Sequence, residues 1–229
     1  MLKRYLNSFL DLLYPPLCVV CNKALINQEE HLCINCIVKM PVLLPIEQEK
    51  VSQLFWGIVE VEQATSTIHY TRGSPYTNII KELKYNKNQK IAQFIGLTMA
   101  KALQEQEYLK TIDVLVPVPL HKTKLKERGF NQAELIAKAL SLYTGIPVCS
   151  KALIKNKVSD SQTNKKRYQR WLNSSTEYSL NPSIDLSQKH LLLIDDVLTT
   201  GATLTACIKE LYKTDTVRIS VASFALSDG

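Results

Sequence analysis

The 229-residue sequence predicts an α/β fold, a mostly parallel sheet flanked by helices, with a small cysteine-rich module in front of it. Three observations carry that expectation. Apolar runs of strand length alternate with segments of helical period from residue 58 onward. Two of those runs, 113–119 and 190–196, are continuous enough for buried strands, and they end in prolines and in acids. Four of the six cysteines form two C-x-x-C pairs within the first 36 residues. The expected division is a module over 1–55 and the α/β domain over 56–229.

The elements follow in order. In 1–13, Leu2, Leu6, Phe9, Leu10 and Leu13 recur at helical steps, so an amphipathic helix is expected. Lys3 and Arg4 resemble the start of a signal peptide, but Asn7, Ser8 and Asp11 break the apolar run. The helix is expected to pack on its own protein, an anchor on a membrane surface being the alternative. Residues 37–55, with Pro41 and Pro45, look like a connector. Alternation through Val59 and Val61 predicts a strand over 58–70. Helices are expected over 76–85 (Ile79, Ile80, Leu83 on one face) and 90–109 (Ile91, Phe94, Ile95, Met99, Leu103). D-V-L-V-P-V-P at 113–119 predicts a strand and 131–143 a helix, with a further strand at 147–154. Residues 155–175 are basic and aperiodic. H-L-L-L-I-D-D at 190–196 predicts a strand, 202–213 a helix and 217–225 the last strand.

Composition excludes several classes. With 45% hydrophobic and 21% charged residues, the chain is neither collagen-like, nor mostly disordered, nor a polytopic membrane protein. No run of 18 apolar residues occurs, so no spanning helix and no membrane contact are expected, and a cytoplasmic location is. The net charge of +7 is uneven: residues 121–170 hold 12 basic and 3 acidic residues. Such a local surplus points to a polyanion, either a phosphorylated small molecule or nucleic acid.

Cys18 and Cys21 form one C-x-x-C pair and Cys33 and Cys36 the other. Two residues between thiolates let a tight turn aim both sulfurs at one tetrahedral ion, and two such turns close a four-sulfur site suited to structural Zn²⁺. Two disulfides or a redox pair are the alternatives, and disulfides fit poorly with a cytoplasmic protein. His31, between the pairs, is redundant once four cysteines are present. Cys149 and Cys207 are expected as small buried hydrophobes.

The segment from Leu191 to Thr203, L-L-L-I-D-D-V-L-T-T-G-A-T, carries the most chemistry. An apolar strand delivers Asp195 and Asp196 to its carboxyl end, where ligands of parallel sheets bind. A loop of Thr199, Thr200, Gly201, Ala202 and Thr203 then opens a helix. Backbone N–H groups at such a helix start cradle a phosphate, and Gly201 permits close approach. Two carboxylates would repel a phosphate but accept hydrogen bonds from adjacent sugar hydroxyls. Phosphate site and diol site together describe a ribose 5-phosphate. An ATPase-type Mg²⁺ site is the alternative, but no G-x-x-x-x-G-K-[ST] loop occurs and the chain has seven glycines. A merely N-capped helix would need one threonine, not three.

This segment resembles the phosphoribosyl pyrophosphate (PRPP) signature of type I phosphoribosyltransferases. L-Y-P-P-L-C-V-V-C, L-K-Y-N-K-N, V-P-V-P-L, R-G-F-N-Q-A and Q-T-N-K-K-R, in that order, resemble the ComF family, which joins a double zinc ribbon to that domain. The resemblance runs from about residue 2 to residue 225. It implies a type I phosphoribosyltransferase-like fold, with Asp195 and Asp196 on the ribose hydroxyls and Thr199 to Thr203 on the 5-phosphate. The pyrophosphate would meet the end of V-P-V-P-L, Val118 to His121, where prolines stand in place of the small residues usual in the superfamily. Arg128 is the candidate for a pyrophosphate contact. The superfamily's lid would fall in 155–175, with Lys165, Lys166 and Arg167 as its cations. Mg²⁺ would arrive with PRPP.

Two functions compete at this stage. One is transfer of phosphoribosyl from PRPP to an acceptor that no residue pattern names. The other is a PRPP-responsive component of the DNA-uptake machinery that binds single-stranded DNA or competence proteins. Aromatics are sparse in 121–175 (Phe130, Tyr143, Tyr168, Trp171), which favours a small-molecule pocket over a single-strand platform there.

Overall fold

The computed structural model of the chain describes residues 15–26, 28–85, 89–104, 106–156 and 177–227. The N-terminal helix expected over 1–13 and the cations Lys165, Lys166 and Arg167 lie outside the described residues. Helices α1 (Ile34–Val38) and α2 (Gln48–Gln53) precede strand β1 (Ala64–Tyr70). Helices α3 (Thr77–Tyr85) and α4 (Gln89–Gln104) follow, then β2 (Val114–Pro117). Next come α5 (Lys122–Arg128) and α6 (Gln132–Thr144). A small antiparallel pair, β3 (Leu153–Lys155) and β4 (Tyr178–Leu180), leads to β5 (His190–Leu198), α7 (Ala202–Leu211) and β6 (Arg218–Ser227).

The four main strands form one parallel sheet in the order β1-β6-β5-β2. Its central strands are buried on both faces, as the continuous apolar runs require: Leu191 through Ile194 and Phe224 are fully covered. One core, with Ile79, Leu83, Ile95, Met99, Ile136 and Leu140, lies under α3, α4 and α6. The other, with Val116, Leu193, Leu204, Ile208 and Val221, lies under α7. Close helix packing on the first face needs Gly96. A Cβ there would stand 2.5 Å from Ala139 Cβ and 2.8 Å from the α6 backbone.

The structure corrects several sequence expectations. Strand β1 begins at Ala64, not at residue 58, because the preceding residues turn through Gly57 at φ +70°. The expected connector 37–55 is ordered: Pro45–Glu47 form a 3₁₀ turn, and Val51 and Phe55 are buried against the sheet. Helix α4 stops at Gln104, and Glu107–Thr111 form a separate 3₁₀ turn. The strand expected at 147–154 is a single parallel bridge, Val148 to Leu115, followed by β3. No described helix is long and apolar enough to cross a membrane.

Candidate functional site

Strand β5 carries its acids to the carboxyl edge of the sheet. Residues 190–194 are buried and Asp195 and Asp196 are half-buried. Their positions are fixed from the backbone side: Asp196 N–H donates to Asp195 Oδ1 and Val197 N–H to Asp196 Oδ1, both at 2.8 Å. The other oxygen of Asp196, Oδ2, receives the Lys84 ammonium at 2.8 Å. Burial and the adjacent Asp196 charge push the Asp195 carboxyl well above the ordinary carboxylate range, with Lys84 working in the opposite sense.

The chain after β5 turns sharply into α7. Gly201 occupies the helix N-cap at φ +72°, a conformation that costs glycine nothing, and no side chain caps α7 there. Thr199, Thr200, Ala202 and Thr203 are exposed at this turn. The loop also has a wall, since a Cβ at Gly201 would stand 3.4 Å from Phe55 and 3.6 Å from Leu54. The first turn of α7 therefore leaves backbone N–H groups without a side-chain cap, five residues after Asp196.

The end of β2 brings the second basic segment. Val118 N–H bonds Ile194 O of β5 at 2.9 Å, and Asn131 Nδ2 donates to Val118 O at 2.9 Å. Asn131 Oδ1 also accepts from Ala133 N–H at 3.2 Å, capping α6. Arg128 ends α5 just before Gly129, and its guanidinium lies 5.9 Å from the centre of the Tyr85 ring. Tyr85 follows Lys84 at the end of α3. One helix end thus touches both halves of the site, Asp196 through Lys84 and Arg128 through Tyr85. Beside Asn131, Gln132 is buried, and its Nε2 has no hydrogen-bond partner among the described residues.

The L-K-Y-N-K-N piece does not by itself announce the roles of Lys84 and Tyr85. Their partners lie far along the chain, and no local pattern announces such a pairing.

Residues 83–227 match the phosphoribosyl transferase domain family. The chain belongs to that family. Residues 9–46 match the double zinc ribbon domain, so the family domain follows a zinc-ribbon module, and the ComF resemblance holds. Among curated relatives, the chain is 28% identical over 162 residues to competence protein F of Haemophilus influenzae, covering 69% of each. It is 39% identical over 116 residues to competence protein ComFC of Bacillus subtilis, covering 49% of this chain and 43% of that one. Among solved structures, it resembles the purine phosphoribosyltransferase from Pyrococcus horikoshii at 22% identity. That likeness has a TM-score of 0.38 and covers 59% of this chain and 73% of that one. The phosphoribosyl transferase family assignment rests on the sequence match, not on that superposition.

The zinc-ribbon module is visible in the side chains. The sulfurs of Cys18, Cys21, Cys33 and Cys36 all lie within 4.8 Å of one another, and all four are free thiols. Cys21 and Cys33 approach to 3.7 Å, and Cys33 N–H points at Cys18 Sγ at 3.3 Å. Burial pushes the Cys18 thiol up, but N–H groups from Cys21, Cys33 and Val20 outweigh it and bring the thiol down to about 6. Burial and the other three thiols push Cys36 up. Four converging sulfurs are the donor set of a closed tetrahedral site, consistent with structural Zn²⁺. His31 is outside the cluster. Cys207 is buried and Cys149 half-buried.

Proposed function

We propose that the carboxyl edge of the sheet binds PRPP and that the protein transfers its phosphoribosyl group to an acceptor. The observation that carries this reading is the acid pair at the end of β5, followed at once by the uncapped Gly201 turn into α7. Asp195 and Asp196 would accept the ribose hydroxyls, and the turn from Thr199 to Thr203 would hold the 5-phosphate with backbone and hydroxyl donors. Arg128, drawn toward the same edge by Tyr85, would meet the pyrophosphate.

The chemistry follows from where charge develops. The bond from ribose C1 to the pyrophosphate oxygen breaks, and the electron pair leaves with pyrophosphate. An acceptor lone pair forms the new bond at C1. Fixed donors on the 5-phosphate and diol hold the ring in place, and basic groups stabilise the departing anion. Mg²⁺ would be held mainly by the ligand's phosphates and neutralise them. Among the described residues, no carboxylate cluster forms a cage for it, and Asp196 already carries Lys84. Lys165, Lys166 and Arg167 remain candidates, from the sequence alone, for further cations on the pyrophosphate.

The names of the relatives favour a second reading, a non-catalytic protein of DNA uptake in which PRPP is a ligand. Lys122 and Lys126, exposed on α5, would then extend a basic surface toward single-stranded DNA or competence proteins. One experiment separates the two. Calorimetric titration of the zinc-loaded protein with PRPP and Mg²⁺, followed by an assay for released pyrophosphate, is expected to give binding and slow release. Binding without release selects the second reading. No binding overturns both.

A further inference from the structure

The pocket proposed above contains a conflict. Two adjacent carboxylates stand where a polyphosphate must arrive, and like charges a few ångströms apart repel strongly away from bulk water. The structure supplies one compensating charge in direct contact. Lys84 leaves α3 after the buried Leu83 and sets its ammonium 2.8 Å from Asp196 Oδ2. The side chains retain 26% exposure at Lys84 and 14% at Asp196, so solvent screens this pair less than a surface bridge. Asp196 Oδ1 is engaged by Val197 N–H, so the carboxylate is held at both ends.

We infer that Lys84 is a positioning residue of this pocket: it fixes the Asp196 carboxylate in the orientation that accepts a ribose hydroxyl and offsets its charge against an incoming polyanion. The inference rests on the PRPP reading of the acid pair. It adds a residue that the PRPP signature does not contain and that comes from a different element. A lysine serves here because the partner is one oxygen, which needs a single donor rather than the two-pronged fork of arginine. Acting through Asp196, Lys84 belongs to the ribose half of the ligand. Its loss must therefore weaken every ligand that carries the diol, whether or not pyrophosphate is attached.

The test is calorimetry of the full-length, zinc-loaded protein with two probes, PRPP with Mg²⁺ and ribose 5-phosphate. Lys84→Met is expected to weaken both by a similar factor, roughly 10- to 100-fold, the range for losing a hydrogen bond between charged groups. Lys84→Arg is expected to recover part of the affinity. In an Asp196→Asn background, Lys84→Met is expected to add little, because the group it positions has already lost its charge. Melting temperatures accompany each variant. If Lys84→Met is poorly folded, Lys84→Gln, which keeps a donor and removes the charge, takes its place in the same comparison. Loss of PRPP affinity with ribose 5-phosphate unchanged would overturn the inference and move Lys84 to the pyrophosphate. Unchanged affinity for both would also overturn it. If the unmodified protein binds neither probe, the PRPP reading fails first, and the role of Lys84 falls with it.

Discussion

Strand β5 has two polar ends, and they are built in opposite ways. At its start, His190 is buried with every ring and backbone donor or acceptor matched. Nε2 pairs with Ser220 Oγ and Nδ1 with Thr111 Oγ1, both at 2.9 Å, and the backbone N–H donates to Asp113 Oδ2 at 2.7 Å. At its finish, Asp195 and Asp196 stand side by side, with Lys84 paired to Asp196. The first end is a closed network whose members satisfy one another and fix the sheet. The second joins an acid pair to an uncapped helix start, and it is the end that the PRPP reading assigns to the ligand. Within a single strand, the contrast separates polar residues that hold the fold from polar residues that the fold holds.

The comparison breaks most directly at the acids. Asp195→Asn with Asp196→Asn is expected to lower PRPP affinity by about 100-fold or more, as two charged acceptors become weaker ones. The melting temperature should stay close to that of the unmodified protein, because relief of the repulsion between the acids offsets the loss of the Lys84 ion pair. Calorimetry and thermal melts read both, and a variant that binds normally would dismiss the acids as the ligand end. The mirror-image change is His190→Ala. It strands the buried Ser220 hydroxyl and opens a cavity, so it should cost about 1–3 kcal/mol in denaturant unfolding. PRPP affinity should stay within twofold or so, since distant sites without shared partners do not couple; a large loss of affinity would erase the distinction between the two ends.

The two ends should also answer pH in opposite senses. Burial, with Arg218 second, holds His190 below its ordinary 6.5, so the unfolded chain binds more protons there and stability falls as pH drops below about 6.5. Asp195 is raised above its ordinary 3.8, so the folded protein binds more protons and stability falls as pH rises from that value. Unfolding curves across pH should therefore lose their acid-side slope in His190→Gln and their opposite slope in Asp195→Asn. A smaller effect is expected at Gly201→Ala. The left-handed backbone and the 3.4 Å approach to Phe55 should cost about 1 kcal/mol, with a severalfold loss of PRPP affinity. Unchanged binding would remove this turn from the phosphate site.

Much of this was legible in the sequence, for definable reasons. Strands β2, β5 and β6 are doubly buried, so their continuous apolar runs stood out within one or two residues of the observed bounds. The four cysteines declared themselves by spacing, and their sulfurs converge. What escaped was nonlocal or short. The seven-residue helix α5, capped by His121 Nδ1, has too few apolar residues to show a period. Val59 and Val61 alternate like a strand but lie in the turns before β1. Lys84, Tyr85 and the His190 network depend on partners that meet through the sheet's crossovers, which no window of sequence contains.

Helix α3 has one further consequence. Just ahead of it, the Tyr76 hydroxyl donates to Cys36 O of the four-cysteine module at 2.8 Å, and at its far end Lys84 meets Asp196. Its nine residues form a ruler of about 13 Å with both marks in use. Adding a single residue would swing Lys84 by about 100° and advance it about 1.5 Å, off its partner. The residue count of α3 is therefore fixed by its two ends. In a designed chimera that exchanges metal modules, the junction should fall before Tyr76 or beyond Tyr85, and never between them.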